Sequence, residues 1–482
     1  MKFIVRIIFL LLLVNGSLLY LHYNDAGNAI AKGDVQRSYS QEIEVVNRPN
    51  GLYIRHHFTG LSDSRFEIVW PKSSTKRSCY LNDGTECIRL NDDATAFVEG
   101  ETDRQSIMYV IPKDQTMDQS TLYESVFAVL AQSHVTSTML HITDETGIGG
   151  SWVTGLKHLG NKKMDLIDYS LYMDRGVLTD LYWHKDELSV LYSGDELSVL
   201  GPDVKLGTAD FAEADAALSN IGADHSTIVV SNDAKRVDTT RFIISEKLET
   251  DGLIDVLLVN NIYGKYLISK EEQLIAEVVT SLLSNKIVGS EKSKKLVETL
   301  YDNLSVNEIE EVTEMLRDNK GQEIDATYLD LLIGDTMDFK TSFISKNNNP
   351  GVAIHPFILE DRRKITLSGE EVSDVSPIIK DGKSLYPVTK IMRELGYDVS
   401  SNKQSLYIKN SLRSFRFPLK EKFYVYNDRR YNVKSTLFEK IDDEFYFDEA
   451  IFIRVFLVEI KKTPEEIDIV PIATFAEGDA VN

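Results

Sequence analysis

The stretch from Lys364 to Lys409 decides the fold of the C-terminal part of the chain; it reads KITLSGEEVSDVSPIIKDGKSLYPVTKIMRELGYDVSSNKQSLYIK. Turn residues at Ser368-Gly369 and at Asp381-Gly382 separate short apolar runs, which predicts a hairpin followed by another strand. Pro387 is suited to the first turn of a helix, and Gly396 to the left-handed position that ends one. The stretch therefore predicts a hairpin, a turn, a strand, a helix and two further strands.

The same pattern occurs a second time between Phe423 and Ile460, after an alternating strand and an Asn427-Asp428 turn. Asp448 occupies the position of Pro387, and Leu457 occupies the position of Gly396. The apolar positions agree at a constant offset, which aligns Tyr386 with Phe447, Ile391 with Phe452, Met392 with Ile453, Leu395 with Phe456 and Val399 with Ile460. Two such units can bury faces together that neither could bury alone.

This double motif resembles the copper amine oxidase N-terminal-like domain, also called the stalk domain, over residues 354–470. The resemblance rests on the Ser-Gly hairpin, on PIIKDGKSLYPV and on the helix that ends LGYDV. It implies an accessory β/α domain with a structural or wall-associated role, of a kind common, often in tandem, in exported proteins of Gram-positive bacteria. The family name implies no copper, and no catalytic residue carries over because the motif contains none.

Composition limits the classes of partner. The chain has 482 residues, enough for two to four domains, with 53 Lys and Arg against 75 Asp and Glu, a net charge of −22. Nucleic-acid binding depends on neutralising phosphates, so this balance argues against a nucleic-acid partner. It also argues against binding of an anionic membrane surface by the folded part.

The first 31 residues predict a membrane segment or a signal peptide. Lys2 and Arg6 precede an uncharged run from Ile7 to Tyr23, which fits a cytoplasmic N-terminus with the rest of the chain translocated. Cleavage after Ala31 would give a secreted protein. The run is also nearly long enough to span a bilayer, and we favour an uncleaved single-pass anchor with the bulk of the chain extracytoplasmic.

Two cysteines support export. If Asn82 to Gly84 form a three-residue hairpin loop, Cys79 faces Cys87 at a distance that a disulfide can bridge. A two-residue loop would instead pair Cys79 with Ile88, and in a reducing compartment both thiols would be free. We expect the disulfide.

The fold class expected is α+β multidomain. Strand patterns dominate residues 35–250, with one helix predicted over Thr121–Ser133, and helical periodicity predicts a small helical domain over residues 251–345. Capping boxes are predicted at Ser269 and Ser305. Polar residues 346–351 predict a linker before the C-terminal tandem β/α stalk-like domain.

Side chains suited to catalysis or metal binding are sparse. His56 and His57 are adjacent in a strand and so point to opposite faces; His134 and His141 have no helix to align them. The sequence has no metal or phosphate-binding motif, and we expect no cofactor. The glycine cluster at residues 147–152 is best read as a flexible loop, and Glu277 as part of a solvated helix face.

These observations predict a membrane-anchored extracytoplasmic protein with a structural or interaction role at the bacterial envelope. Its partner would be a cell-wall polymer or another envelope protein. The alternative is an exported hydrolase or an inactive relative of one, since a β-rich half followed by helices resembles gluzincin-type zinc aminopeptidases in outline. That family's zinc-binding histidines and glutamate have no counterpart here, and we assign no catalytic residue.

Overall fold

The computed structural model describes residues 37–80, 87–113, 117–202, 209–232, 236–239, 241–246, 250–373 and 375–472. The predicted membrane segment and the predicted Asn82–Gly84 turn lie outside these ranges. The chain divides into two compact units, Met1–Asn261 and Ile262–Asn482. The second unit contains the predicted C-terminal domain and residues 262–345 of the predicted helical domain, whereas residues 251–261 belong to the first unit. In the described part of the chain, no helix combines the length and the apolar character needed to cross a bilayer.

The first unit is built mainly of strands. They are β1 (Arg37–Arg48), β2 (Gly51–Thr59), β3 (Phe66–Val69), β4 (Thr75–Cys79), β5 (Ala96–Phe97), β6 (Arg104–Pro112), β7 (Thr121–Tyr123), β8 (Val129–Leu130), β9 (Ser133–Asp144), β10 (Ser151–Val153), β11 (Lys157–Lys163), β12 (Asp168–Asp174), β13 (Leu181–His184), β14 (Ser189–Ser193), β15 (Leu197–Gly201), β16 (Ser226–Val230), β17 (Val237–Asp238) and β18 (Phe242–Ser245).

The largest sheet of this unit has the strand order β11-β12-β9-β1-β2-β6-β4. Its pairs are antiparallel except for β1 with β9, which run parallel. Residues alternate along β1 and β2, so one face carries the buried side chains of Ile43, Val45, Ile54 and Phe58. The smaller sheets β5-β3-β8 and β10-β13-β7 contribute residues to the same core.

A fourth sheet of the unit is partly parallel, in the order β14-β15-β16-β18-β17. Helix α1 (Ala209–Asn220) forms the connection from β15 to its parallel neighbour β16, as parallel pairs require. Phe211, Ala214 and Leu218 of this helix are buried. The sequence analysis did not predict α1.

The predicted helix over Thr121–Ser133 is wrong, because this segment forms β7, β8 and the start of β9. Val126, Phe127 and Ala128 are buried consecutively, which a one-sided helix cannot do. The Tyr109 hydroxyl donates to the Val126 carbonyl and accepts from the Ala128 amide, both at 3.1 Å. These two hydrogen bonds satisfy the Val126 carbonyl and the Ala128 amide while the segment stays extended.

Helices open the second unit. Helix α2 (Thr250–Lys265) leads from the first unit into it, and the following helices are α3 (Gln273–Ser284), α4 (Glu291–Asn303), α5 (Val306–Asp318), α6 (Ala326–Met337) and α7 (Phe343–Asn347). The capping box of Ser305 and Glu308 is present, as predicted. The one predicted at Ser269 is not, because α3 starts at Gln273 and the Glu272 carboxylate accepts a hydrogen bond from Asn348 instead.

The rest of the second unit consists of short strands and two short helices. They are β19 (Phe339–Thr341), β20 (Leu359–Asp361), β21 (Lys364–Leu367), β22 (Glu370–Val372), β23 (Ile378–Lys380), β24 (Lys383–Pro387), α8 (Val388–Glu394), β25 (Asp398–Ser401), β26 (Ser405–Lys409), β27 (Ser414–Pro418), β28 (Phe423–Tyr426), β29 (Arg429–Asn432), β30 (Phe438–Ile441), β31 (Glu444–Asp448), α9 (Glu449–Phe456), β32 (Val458–Lys462) and β33 (Glu466–Pro471).

The two predicted copies are related by a local two-fold arrangement. Strand β24 of the first copy pairs antiparallel with β31 of the second, and the aligned residues Tyr386 and Phe447 lie directly opposite each other. Gly396 and Leu457, which the alignment matched, both have positive φ after their helices, at 79° and 55°. The two copies therefore have equivalent backbone conformations at these aligned positions.

Each flanking sheet takes strands from both copies. One has the order β22-β21-β33-β32 and the other β25-β26-β27-β28-β29. In the first sheet β21 lies directly beside β33 in parallel, whereas β27 separates the corresponding β26 and β28 in the second. The two copies thus interlock, and they share one aromatic core around Phe417, Phe447, Phe452 and Phe456.

Two sequence expectations about this region need correction. Met392 and Phe456 are buried as predicted, but Leu395 and Ile453 are only half-buried. The predicted linker at residues 346–351 is also part of the fold, because Asn347 is fully buried. Its side-chain amide donates to the Phe343 carbonyl at 2.8 Å and its carbonyl oxygen accepts from the His355 amide at 2.8 Å.

Candidate functional site

The adjacent histidines of β2 point to opposite faces, as the strand pattern predicts. His56 is fully buried, with Nε2 at 2.9 Å from the Gln41 Oε1 and its ring stacked on Phe58. Burial, reinforced by the neighbouring His57, lowers the pKa of His56 to about 3. His56 is therefore a neutral core residue, while His57 bonds Ser106 on the other face.

The other buried histidines have partners at both ring nitrogens. His184 Nε2 lies 2.8 Å from the Ser231 hydroxyl and its Nδ1 lies 3.0 Å from the Asp186 carbonyl. His225 Nε2 lies 3.0 Å from the Ser198 hydroxyl and its Nδ1 lies 3.2 Å from the Gly155 carbonyl. Burial lowers the pKa of His225 to about 4. Across the described ranges, no group of three or more His, Cys, Asp or Glu side chains is placed to hold a metal ion.

The glycine cluster forms a tight turn against Trp183. The backbone at Gly150 has φ +86°, and a Cβ there would meet the His184 carbonyl and lie 2.8 Å from the Trp183 ring. Trp183 Nε1 donates to the Gly149 carbonyl at 3.1 Å. Ser151 follows in β10, where its hydroxyl accepts from the Leu188 amide at 2.9 Å, so the serine acts as a structural acceptor.

A cavity of about 200 Å³ lies beside this turn, lined by residues of β10 to β12, β14 and β15. Trp152 and Tyr172 supply apolar walls, and Asn161, Lys163 and Tyr169 supply polar groups. Its volume is below the roughly 300–1,000 Å³ that small-molecule sites usually have. The space is suited to water or to a very small polar molecule.

Tyr169, at the wall of this cavity, ends a chain of three polar side chains. Its hydroxyl lies 2.6 Å from His141 Nδ1, and Glu42 Oε1 lies 3.1 Å from His141 Nε2. His141 Nε2 makes no hydrogen bond within the described residues, so these three side chains do not form a continuous proton relay. Burial and the Glu42 and Glu44 carboxylates also raise the pKa of Tyr169, which disfavours its phenolate form.

Glu277 is buried, contrary to the solvated face expected from sequence. Its carboxylate accepts from the Ser290 amide at 3.0 Å, from the Ser290 hydroxyl at 2.7 Å and from Gln273 Nε2 at 2.8 Å. Ser290 is also the N-cap of α4. Glu277 therefore fastens the start of α4 to α3. The sequence signal for this role was a lone carboxylate inside LIAEVV followed by Gly289-Ser290.

The cysteines are joined by a disulfide, with their Cα atoms 5.8 Å apart. Cys79 ends β4, where its cross-strand partner is Ile107 of β6, and Cys87 lies in a turn. The bridge ties this turn to the edge strand of the large sheet.

Polar groups inside the C-terminal pair also bind one another. The Tyr386 hydroxyl donates to Glu449 Oε2 at 3.1 Å, and Lys462 Nζ lies 2.5 Å from the same oxygen. Burial, with the nearby Glu449 carboxylate, raises the pKa of Tyr386 well above its ordinary value. These contacts join β24 of the first copy to α9 and β32 of the second, which is a structural role.

Residues 366–466 match the family model described as the copper amine oxidase N-terminal domain. The match confirms the resemblance found in the sequence and lies within the residues 354–470 assigned there. None of the curated proteins compared with this chain matches it.

Comparison with solved structures finds similarity to zinc metallopeptidases and to an aminopeptidase, at low identity. An M1 zinc metallopeptidase mutant from Deinococcus radiodurans is 10% identical with a TM-score of 0.42, covering 67% of this chain and 95% of its own. The same protein bound to a Tyr-Ser-Ala substrate gives 12% and 0.44, covering 65% and 93%. Legionella pneumophila aminopeptidase A in complex with aspartic acid gives 12% and 0.39, covering 73% and 57%.

Proposed function

We propose that this chain is a membrane-anchored extracytoplasmic protein with an interaction role at the bacterial envelope. The observation that carries the proposal is the interlocked C-terminal pair, which matches an accessory domain family over residues 366–466. Its interior is a packed aromatic core, and the polar side chains Tyr386, Glu449 and Lys462 bind one another. A rigid domain of this kind is suited to binding a partner through its exposed surface.

Two features support export: the charges that flank the N-terminal apolar run, and the disulfide. Lys2 and Arg6 precede the apolar run, and no acidic residue occurs before Asp25. The Cys79–Cys87 disulfide persists in an oxidising compartment and is rare in a reducing one.

Protease accessibility tests this proposal. Protease is added to intact protoplasts that carry the full chain with a C-terminal epitope, and to the same protoplasts after detergent lysis. We expect loss of the epitope in both samples while a cytoplasmic marker survives in the intact one. Protection of the epitope until lysis would place the bulk of the chain inside and refute the proposal.

A further inference from the structure

One segment of this acidic chain is strongly basic. Residues 403–434 contain two acidic residues, Glu421 and Asp428, and carry a net charge of +7 within a chain of net charge −22. The basic residues are Lys403, Lys409, Arg413, Arg416, Lys420, Lys422, Arg429, Arg430 and Lys434. All of these except Arg413 are exposed.

Four of these basic residues, Lys409, Arg416, Arg429 and Arg430, lie on the strands of one sheet, β25-β26-β27-β28-β29. Lys409 pairs there with the one acidic residue of these strands, Asp398. One face of the sheet packs on the core through residues such as Phe415 and Phe417. Because side chains alternate along a strand, the residues between them form the other face. Cross-strand register places one row across that face, made of Ser400, Tyr407, Arg416, Val425 and Arg430.

The two arginines of this row are held in place and keep their charge available. The Arg430 guanidinium lies 3.8 Å from the centroid of the Phe423 ring, and its Nε donates to Asn432 at 3.2 Å. Arg416 Nε donates to the Ser405 hydroxyl at 3.3 Å. Within the described residues, neither arginine forms an ion pair with a carboxylate.

The basic face is not a general property of the module. The strands of the sheet related to it by the local two-fold, β22-β21-β33-β32, have Lys364, Lys461 and Lys462 against five acidic residues. Those acidic residues are Glu370, Glu371, Glu459, Glu466 and Asp468. The two sheets have related folds but net charges of opposite sign. The positive charge is therefore not required by the packing of the module.

We propose that the β25–β29 face binds a linear polyanion that carries phosphate groups. Neighbouring strands lie about 4.8 Å apart, so the backbone positions of Arg416 on β27 and Arg430 on β29 are roughly 10 Å apart along the row. A guanidinium group can donate two parallel hydrogen bonds to a pair of phosphate oxygens, and arginine is weakly hydrated, which suits it to phosphate recognition. Tyr407 and Phe423 add ring surface for the polymer backbone. This inference deepens the proposed function by naming the chemistry of the partner.

Inorganic polyphosphate is the probe, titrated against the full chain in detergent at several salt concentrations. The test variant is Arg416→Gln with Arg430→Gln. The matched control is Lys364→Gln with Lys461→Gln, which removes the same charge from the related sheet. We expect the test variant to bind at least tenfold more weakly and to lower the slope of log Kd against log salt by about two. The control should stay within twofold of the native chain.

Equal losses of affinity in the two variants would show that binding depends only on net charge, and would overturn the proposed site. So would equally tight binding of polyglutamate, or a concentration-dependent dimer that the test variant abolishes, since a second copy would then occupy the face. Failure of polyphosphate binding leaves the protease result unaffected, so this inference and the proposed topology fail separately.

Discussion

Glu277 lies among apolar neighbours in α3, and three donors reach its carboxylate. A buried carboxylate without partners would be costly, so the loop that follows the helix must come close enough to supply them. Gly289 makes that approach possible, with φ +94° and its Cα hydrogen directed at the Glu277 side chain. Residue spacing alone could not reveal this contact, because it depends on where the loop turns.

Replacing Gly289 by Ala should destabilise the chain more than the same change at Gly321. Both glycines have positive φ, so each alanine incurs backbone strain of about 1 kcal/mol. A Cβ at Gly289 would also lie 2.5 Å from Glu277 Cδ, whereas one at Gly321 meets no atom within 4 Å. The free energy of unfolding from urea titration measures both losses. Equal losses would show that the contact with Glu277 contributes nothing.

Acid should destabilise the first unit through its buried histidines. The pKa of His56 falls from its ordinary 6.5 to about 3 on folding, so the unfolded chain binds more protons between these values. Stability from this residue is complete above about pH 6.5 and declines as the pH falls toward 3, by up to about 1.4 kcal/mol per unit.

The free energy of unfolding, measured from pH 7 to pH 4, should fall less steeply in His56→Gln, which keeps a polar partner for Gln41. His134→Gln on the exposed side of β9 is the control and should follow the native curve. A His56→Gln curve with the native slope would contradict the assignment.

At the scale of elements, local chemistry predicted the C-terminal pair well. Ser368-Gly369 and Asn427-Asp428 have the positive φ values that two-residue hairpin turns require. The capped helix start predicted at Ser305 is likewise confirmed. Misassignments occur where tertiary bonds decide, as for residues 121–133, where Tyr109 holds the backbone extended.

The burial of side chains in and after α8 identifies the substitution that should be most destabilising. Met392 is 1% exposed and Leu395 only half-buried. Met392→Asp should therefore destabilise the second unit by about 3 kcal/mol or more, because it places a carboxylate in the aromatic core. Leu395→Asp should have a clearly smaller effect. Calorimetry of both full-length variants makes the comparison, and equal shifts in Tm would contradict the packing.

At the scale of the whole molecule, composition predicted an ordinary multidomain chain and missed how its charge is distributed. The net charge of −22 conceals the basic segment 403–434, which only a local count reveals. Its placement on one face needed the register of β25 to β29, which arises from pairing between the two copies. The polar stretch at residues 346–351 had the composition of a linker, yet Asn347 bonds both sides of it.

Unfolding of residues 354–482 expressed alone tests the central claim most directly, namely that the two copies form one interlocked unit. Because each flanking sheet takes strands from both copies, neither copy can unfold by itself. We expect a soluble fragment with one cooperative transition, abolished equally by Met392→Asp in the first copy and by Phe456→Asp in the second. A disordered fragment, two separate transitions, or a normal transition in either variant would contradict the claim.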